Sequence, residues 1–368
     1  MNMPELRIDD LTARIPVVQG GMGVGISLSG LAGAVAKEGG IGTIATAGIG
    51  RLEPNFIEDV SAANNRALAK EIKRAKEISG GGLVGVNIML ALSDYGELIL
   101  TSENSGADIV FLSAGLPLTR PCNVSVEEFQ NFRIKMVPKI SSARAAKLIF
   151  TYWAKNFKRI PDAVVVEGPM AGGHIGFKKP DIDDPDFSIQ KLVPAVVEAM
   201  IPFREKFGKD IPVIAAGGIY TGEDIFEAFE TMNASGVMMG TRFVATDECD
   251  AHPNFKQAYV DCKEGELRII DSPVGLPGRA ILNQYISDVA NGIKKPYTCM
   301  YQCIRNCDIK NARYCIALAL TDAAKGHMQD GVTFAGSNAW RVDRIMAVKE
   351  LLDELKSGYE QAVLAATT

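Results

Sequence analysis

Histidine is scarce in this chain: three residues in 368. Any histidine inside a patterned segment therefore merits weighing as a proton-transfer group. Positive charge is not in excess, since the formal net charge is −5. That excludes a general attraction to nucleic acid or to an anionic membrane. Long apolar runs are missing too. The stretch around 83–92 is the longest, about ten residues, too short to span a bilayer. Residues 1–14 carry acids and no apolar segment of a secretory signal, so a soluble, cytoplasmic protein is expected. A dinucleotide fingerprint is also absent. Gly21-Met22-Gly23-Val24-Gly25 lacks the full spacing and the acidic partner of such a site. The seven cysteines are an odd number, and at this length a secreted disulfide scaffold is not expected.

What is present is ordinary globular composition, with 47% hydrophobic and 23% charged residues, enough for one large α/β domain or one plus a cap. Short β-branched apolar runs alternate with helical patterns from residue 15 to about 263. Candidate strands are Pro16–Gln19, Ile41–Ala45, Leu83–Met89, Ile109–Ser113, Met136–Ile140, Ala163–Glu167, Pro212–Ala215 and Gly236–Gly240. Most are apolar throughout, as parallel strands covered on both faces are. Candidate helices are Ser29–Glu38, Phe56–Ile78, Asp94–Ser102, Ala143–Asn156, Ile189–Phe207, Gly222–Met232 and Asn254–Cys262, with a short one at Val126–Phe132. Eight βα units predict an α/β fold of the (β/α)8 TIM-barrel type, with an open doubly wound sheet as the alternative. The barrel is expected over 1–263. Residues 264–368 are expected to form a C-terminal extension packed on it: a loop over Leu267–Ala280, then mostly helix, ending in a strong helix at Val342–Ala365. Lys178–Phe187 reads either as a lid or as a solvated connection.

Four glycine-bearing loops fall at strand C-terminal ends, the catalytic face of a barrel. Gln19-Gly20-Gly21-Met22-Gly23 is the first. The second, Glu167-Gly168-Pro169-Met170-Ala171-Gly172-Gly173-His174-Ile175-Gly176, carries a histidine. The third and fourth are Ala215-Ala216-Gly217-Gly218-Ile219 and Gly240-Thr241-Arg242-Phe243. These two follow strands seven and eight, where backbone N–H groups and a helix start commonly hold a phosphate. The rest of such a ligand calls for a flat ring against small backbone. Gly20, Gly21 and Met22 offer that surface, and Asn87 offers a donor and an acceptor. Lys139 either stabilises an anionic ring or is a snorkelling surface lysine. Arg279 is a candidate contact for an anionic substrate or a structural salt bridge. His252 and His327 lie outside any motif.

The set PVVQGGM at 16–22, EGGIGTI at 38–44, GVNIM at 85–89, EGPMAGGHIGF at 167–177, PVIAAGGI at 212–219 and GVMMGTRF at 236–243 resembles the nitronate monooxygenase family, the 2-nitropropane dioxygenase-like flavoproteins. Flavin-dependent enoyl-acyl-carrier-protein reductases and NAD(P)H:quinone reductases share similar loops. The resemblance implies FMN at the barrel mouth. Its phosphate would lie on Gly217, Gly218, Gly240 and Thr241, and its ring against Gly21, Met22, Asn87, Lys139, Gly172 and Gly173, with Gly20 and Ala216 completing the cofactor-binding set. His174 would be the catalytic residue, either a base toward a neutral nitroalkane or an anchor for the nitronate. The implied reaction is oxidation of an alkyl nitronate by O2 to a carbonyl compound and nitrite. The alternative is an NAD(P)H-dependent reductase on the same scaffold, with NAD(P)H as electron donor. A third reading is a catalytically idle flavin-binding or partner-binding protein. A small-molecule substrate is expected, with a homodimer as the candidate assembly.

Two features depart from the family pattern. Pro169-Met170-Ala171 stands where a charged or small residue often precedes the glycine pair. The tail carries Cys299, Cys303, Cys307 and Cys315. Their spacing is not a standard zinc or ferredoxin spacing, and steps of four would set three thiols on one helix face. Core packing is favoured and no metal ligand is assigned. Zinc or an iron–sulfur cluster is the alternative reading, for which the basic neighbours Arg305, Lys310 and Arg313 offer a means of depressing the thiol pKa values.

Overall fold

A computed structural model describes residues 3–122, 124–299 and 301–367. Its centre is a closed barrel of eight parallel strands. In chain order after a small N-terminal hairpin, β1 (Leu6–Ile8) and β2 (Leu11–Ala13), they are β3 (Val17–Gln19), β4 (Ile41–Ala45), β5 (Leu83–Met89), β6 (Ile109–Ser113), β7 (Lys135–Ile140), β8 (Val164–Glu167), β10 (Val213–Ala216) and β11 (Gly236–Met239). β9 (Gly173–His174) lies outside the barrel. β11 pairs with β3 and β8 with β10, which closes the ring. All eight sequence-derived strands are therefore present, within a residue or two at their ends.

The apolar runs are explained by burial on both faces. Val18, Ile109, Phe111, Val165 and Ile214 fill the interior, which Leu6 and Ile8 of the N-terminal hairpin plug from below. Their neighbours Val17, Val110, Val164 and Val166 point out to the helices. Around the strands run α1 (Ser29–Glu38), α2 (Val60–Ser79), α3 (Tyr95–Asn104), α4 (Val126–Gln130), α5 (Ala143–Asn156), α6 (Ile189–Phe207), α7 (Gly222–Glu230) and the short α8 (Thr241–Val244). Side-chain caps set several starts. Asp59 accepts from Ala62 N, so α2 begins at Val60 and not at Phe56. Thr221 and Asp224 form a reciprocal capping box on α7.

After α9 (Pro253–Asp261), the expected loop over 267–280 is instead a β-hairpin, β12 (Leu267–Asp271) and β13 (Pro277–Ile281). β13 also pairs with β9, Gly278 opposite His174 and Arg279 opposite Gly173. Helices α10 (Gln284–Ala290) and α11 (Ile316–Ala324) follow, and Phe334 bridges back to Ala280. The last helix, α12 (Val348–Thr367), packs against both α7 and α1. It thereby fills the gap in the helix ring that four-residue α8 leaves open. Among the described residues, no helix is long and apolar enough to cross a membrane.

Candidate active site

The C-terminal ends of the barrel strands open into a cavity of about 650 Å³, within the size range of small-molecule and cofactor pockets. Gly20, Gly21, Met22, Asn87, Lys139, Gly172, Gly173, His174, Ala216, Gly217, Gly218, Gly240 and Thr241 all line it. The loop after β3 is held from beneath. Buried Gln19 accepts from Thr43 N at 2.8 Å, and Ser27 Oγ accepts from Met22 N at 2.9 Å. A Cβ at Gly21 would stand 2.3 Å from Asn87 Cβ, so only glycine lets this backbone pass over the Asn87 side chain.

One end of the cavity is a polar cradle. Gly217 and Gly218 have φ of +93° and +98°, a left-handed pair that L side chains avoid. Thr241 begins α8, and its Oγ1 accepts from Gly336 N at 3.1 Å. Asn338 Nδ2 donates to Gly218 O at 2.7 Å, and Ser337 N donates to Met170 O at 3.1 Å. Ser337 Oγ is buried and has no hydrogen-bond partner among the described residues, an expensive state for a hydroxyl unless a ligand meets it. The 334–338 segment (Phe-Ala-Gly-Ser-Asn) was missed from sequence. Its Gly-Ser-Asn turn was the available signal, but it lies outside the strand-end pattern used to find the other loops. Tyr220, just beyond the cradle, has the Arg242 and Arg341 guanidinium groups over its ring, 4.7 and 4.3 Å from the centroid.

Beside the cradle, Lys139 at the end of β7 makes a 2.6 Å ion pair with Glu167 at the end of β8, the residue in register with Ala216. This lysine is an inward-facing partner of a carboxylate rather than a snorkelling surface residue. His174 sits on β9 with Nε2 2.7 Å from Ser272 Oγ, in the β12–β13 turn. Phe334 meets the imidazole edge-on, with centroids 5.0 Å apart. Burial pushes the His174 pKa down to about 4, because the charged ring would lose its hydration. It is therefore neutral at pH 7. Ser272 is a second residue missed from sequence, since the turn that carries it was read as plain loop.

Arg279 plays neither expected role. It is buried, and its Nη1 donates to Pro169 O at 2.7 Å and Ala171 O at 2.8 Å. It clamps the histidine loop from behind. Residues 178–187 do not line the cavity. Ile182 and Phe187 instead pack with Ile175 and Phe177 in a small apolar cluster, and Lys179 pairs with Asp271 at 2.6 Å.

The cysteine segment is not helical, so the expected shared helix face does not form. Cys303 lines the cavity, and Cys303 and Cys307 pack on the core. Burial pushes the Cys303 thiol up to about 11 and raises Cys307 as well, so the basic neighbours do not depress these two thiols. Arg305 is directed away, to Leu90 O and over the Tyr95 ring. Among the described residues, no group of three or more His, Cys, Asp or Glu side chains is placed to hold a metal ion.

A family model described as nitronate monooxygenase matches residues 5–358. A probable nitronate monooxygenase of Staphylococcus aureus (strain Newman) is 29% identical, over 76% of this chain and 79% of that protein. FabK from Thermotoga maritima superposes with a TM-score of 0.71 at 24% identity, covering 96% of this chain and 95% of that one. A nitroalkane oxidase from Streptomyces ansochromogenes does so with a TM-score of 0.71 at 22% identity, covering 96% and 97%. The two superpositions establish a shared fold.

Proposed function

The chain belongs to the nitronate monooxygenase family, and from that premise we propose that it is an FMN-dependent oxidoreductase that oxidises alkyl nitronates with O2 to carbonyl compounds and nitrite. The observation that carries the cofactor assignment is the orphaned Ser337 hydroxyl beside the left-handed Gly217–Gly218 pair and the start of α8. Buried main-chain donors and a free hydroxyl at strand ends seven and eight suit a phosphate. Ala216, Gly240 and Thr241 complete that end. Gly20, Gly21, Met22, Gly172 and Gly173 leave room for a flat ring, with Asn87 supplying edge hydrogen bonds. FMN, when bound, supplies the electron acceptor.

The remaining chemistry belongs to this chain. The Lys139 ammonium, held by Glu167, supplies positive charge on the ring side of the cavity. His174 meets the substrate as a neutral imidazole. Arg279 and the β12–β13 hairpin fix the loop that presents it. Val274 and Leu276 at the hairpin turn add apolar wall, which favours an alkyl substituent and excludes water. Purified protein is expected to carry flavin absorbance and to release FMN on denaturation. It is also expected to consume O2 and form nitrite from an alkyl nitronate. Colourless protein that takes up no FMN would refute the assignment.

The likeness in fold to FabK supports a second reading, an NAD(P)H-dependent reductase. Anaerobic mixing with NADH or NADPH separates the two. Rapid flavin bleaching selects the reductase; a flavin that stays oxidised until a nitronate is added selects the monooxygenase.

A further inference from the structure

Hydrogen-bond accounting around His174 bears on what this histidine does. Nε2 faces Ser272 Oγ at 2.7 Å. Ser272 is 7% exposed, its backbone N–H is spent on Leu276 O, and its hydroxyl has no second partner among the described residues. Nδ1 likewise takes no partner among them. A neutral imidazole has one donor nitrogen and one acceptor nitrogen, so the pair has two arrangements. If Nε2–H donates to Oγ, the serine hydroxyl hydrogen is left buried without an acceptor, and the Nδ1 lone pair is also unmet. If the hydroxyl donates to Nε2, both atoms of the contact are satisfied, and one N–H, at Nδ1, is left for a ligand. Stranding a buried donor is the costlier choice.

We propose that Ser272 is a positioning residue that holds His174 as the Nδ1–H tautomer, so that the imidazole donates a hydrogen bond to an anionic substrate and does not act as a base. This rests on the nitronate reading of the site and makes it narrower: the substrate arrives already ionised, and neutral nitroalkanes are not turned over. Two further observations agree. Among the described residues, no carboxylate hydrogen-bonds or ion-pairs with the ring, whose hydrogen-bond contact is Ser272 Oγ, so none assists proton abstraction as the partner of a histidine base does. A ring with so low a pKa is also a weak base toward a carbon acid. The hairpin geometry fits as well. Gly278 pairs with His174 and Ile175 N donates to Pro277 O, so the strand carrying the ring and the turn carrying the hydroxyl move as one sheet.

The test uses imidazole-15N NMR of the purified protein. With three histidines in the chain, His174 is identified by its loss in His174→Gln. The expected spectrum shows a proton on Nδ1 and a hydrogen-bonded, unprotonated Nε2 from about pH 5.5 to 8. Ser272→Ala should populate both tautomers, and Ser272→Thr should restore the first. A proton on Nε2 in the unmodified protein overturns the proposal. In turnover, a preformed nitronate is expected to be preferred over its neutral nitroalkane by at least about 100-fold. Ser272→Ala is expected to raise the nitronate KM about tenfold, the size of one lost hydrogen bond, with kcat within about threefold. Comparable use of the neutral nitroalkane, rising with pH, also overturns it. If neither compound is oxidised while Nδ1 carries the proton, the nitronate reading falls and the tautomer assignment stands.

Discussion

Gly20 and Gly21 stand side by side in the first loop, and the structure treats them differently. A Cβ at Gly20 meets nothing nearer than 3.5 Å, whereas at Gly21 it would lie 2.3 Å from Asn87 Cβ. Gly20→Ala is therefore expected to leave Tm nearly unchanged. Gly21→Ala is expected to cost about 1–3 kcal/mol as overpacking and to release flavin, read by thermal unfolding and by absorbance after gel filtration. His174 gives a pH prediction. Its pKa falls from 6.5 in a solvated ring to about 4 in the folded protein. Between those values the unfolded chain binds a proton that the native one does not, so its contribution is intact above about pH 6.5 and is lost as pH falls toward 4. His174→Asn should flatten that slope by on the order of 2 kcal/mol between pH 7 and 4, allowing for the part of the ring open to cavity water. Urea titrations at pH 7, 5.5 and 4.5 measure it, and an unchanged slope would reject the buried neutral ring. At this scale much of the candidate site was legible, because glycines after apolar β-branched runs mark strand ends. Ser272 and Ser337 were not, because a serine's environment leaves no local trace in sequence.

The β12–β13 hairpin shows why elements are harder to read than residues. Leu267–Asp271 is only partly buried, so it lacks the apolar run that marked the barrel strands. Pro277 and Gly278 begin β13, and both argue against a strand in local terms. Pro277 is tolerated there because it occupies the first strand position, and Gly278 because Phe334 packs where its Cβ would go, 2.8 Å away. Tertiary pairing with Gly173–His174 overrides the local preference. Arg279 carries the functional consequence. Its guanidinium satisfies the carbonyls of Pro169 and Ala171 inside the protein. Arg279→Met would strand both, at about 1–3 kcal/mol each, and free the loop ahead of the histidine. The expected result is a Tm lower by several degrees and a nitronate KM raised more than kcat is lowered. Flavin should be retained, because the cradle at 217–218 and 241 has its own partners in 336–338. Loss of flavin in Arg279→Met would show that the hairpin holds the cofactor end as well.

Across the whole molecule, the chain completes its barrel only at its end. Strand β11 is followed by four-residue α8, and about a hundred residues pass before α12 takes the open place between α7 and α1. Those intervening residues pass over the cavity, supply Val274, Cys303, Phe334 and Ser337 to its wall, and set Ser272 behind His174. The alternation of strands and helices up to 263 was readable because each βα unit is local. The seat of α12 was not, because its partners are distant in sequence and its amphipathic stripe fits any apolar groove. Two kinds of contact hold it, and they differ in size. Leu351, Leu352, Leu355 and Tyr359 are each 4% exposed or less, and burying such side chains is worth roughly 1.5–3 kcal/mol apiece. Glu354 reaches Arg242 at 2.9 Å, but its side chain is 49% exposed, so that pair is worth about 0–1 kcal/mol. Glu354→Gln should therefore leave stability within about 1 kcal/mol, although Arg242 also stacks on Tyr220 beside the cradle. Leu352→Ala should cost about 2–5 kcal/mol. Ending the chain at Ala347 removes the whole apolar face, a loss comparable to the entire stability of a typical domain, and should yield insoluble protein without flavin. A soluble, yellow protein ending at Ala347 would mean that the barrel closes without its last helix and that α12 is an accessory to the ring.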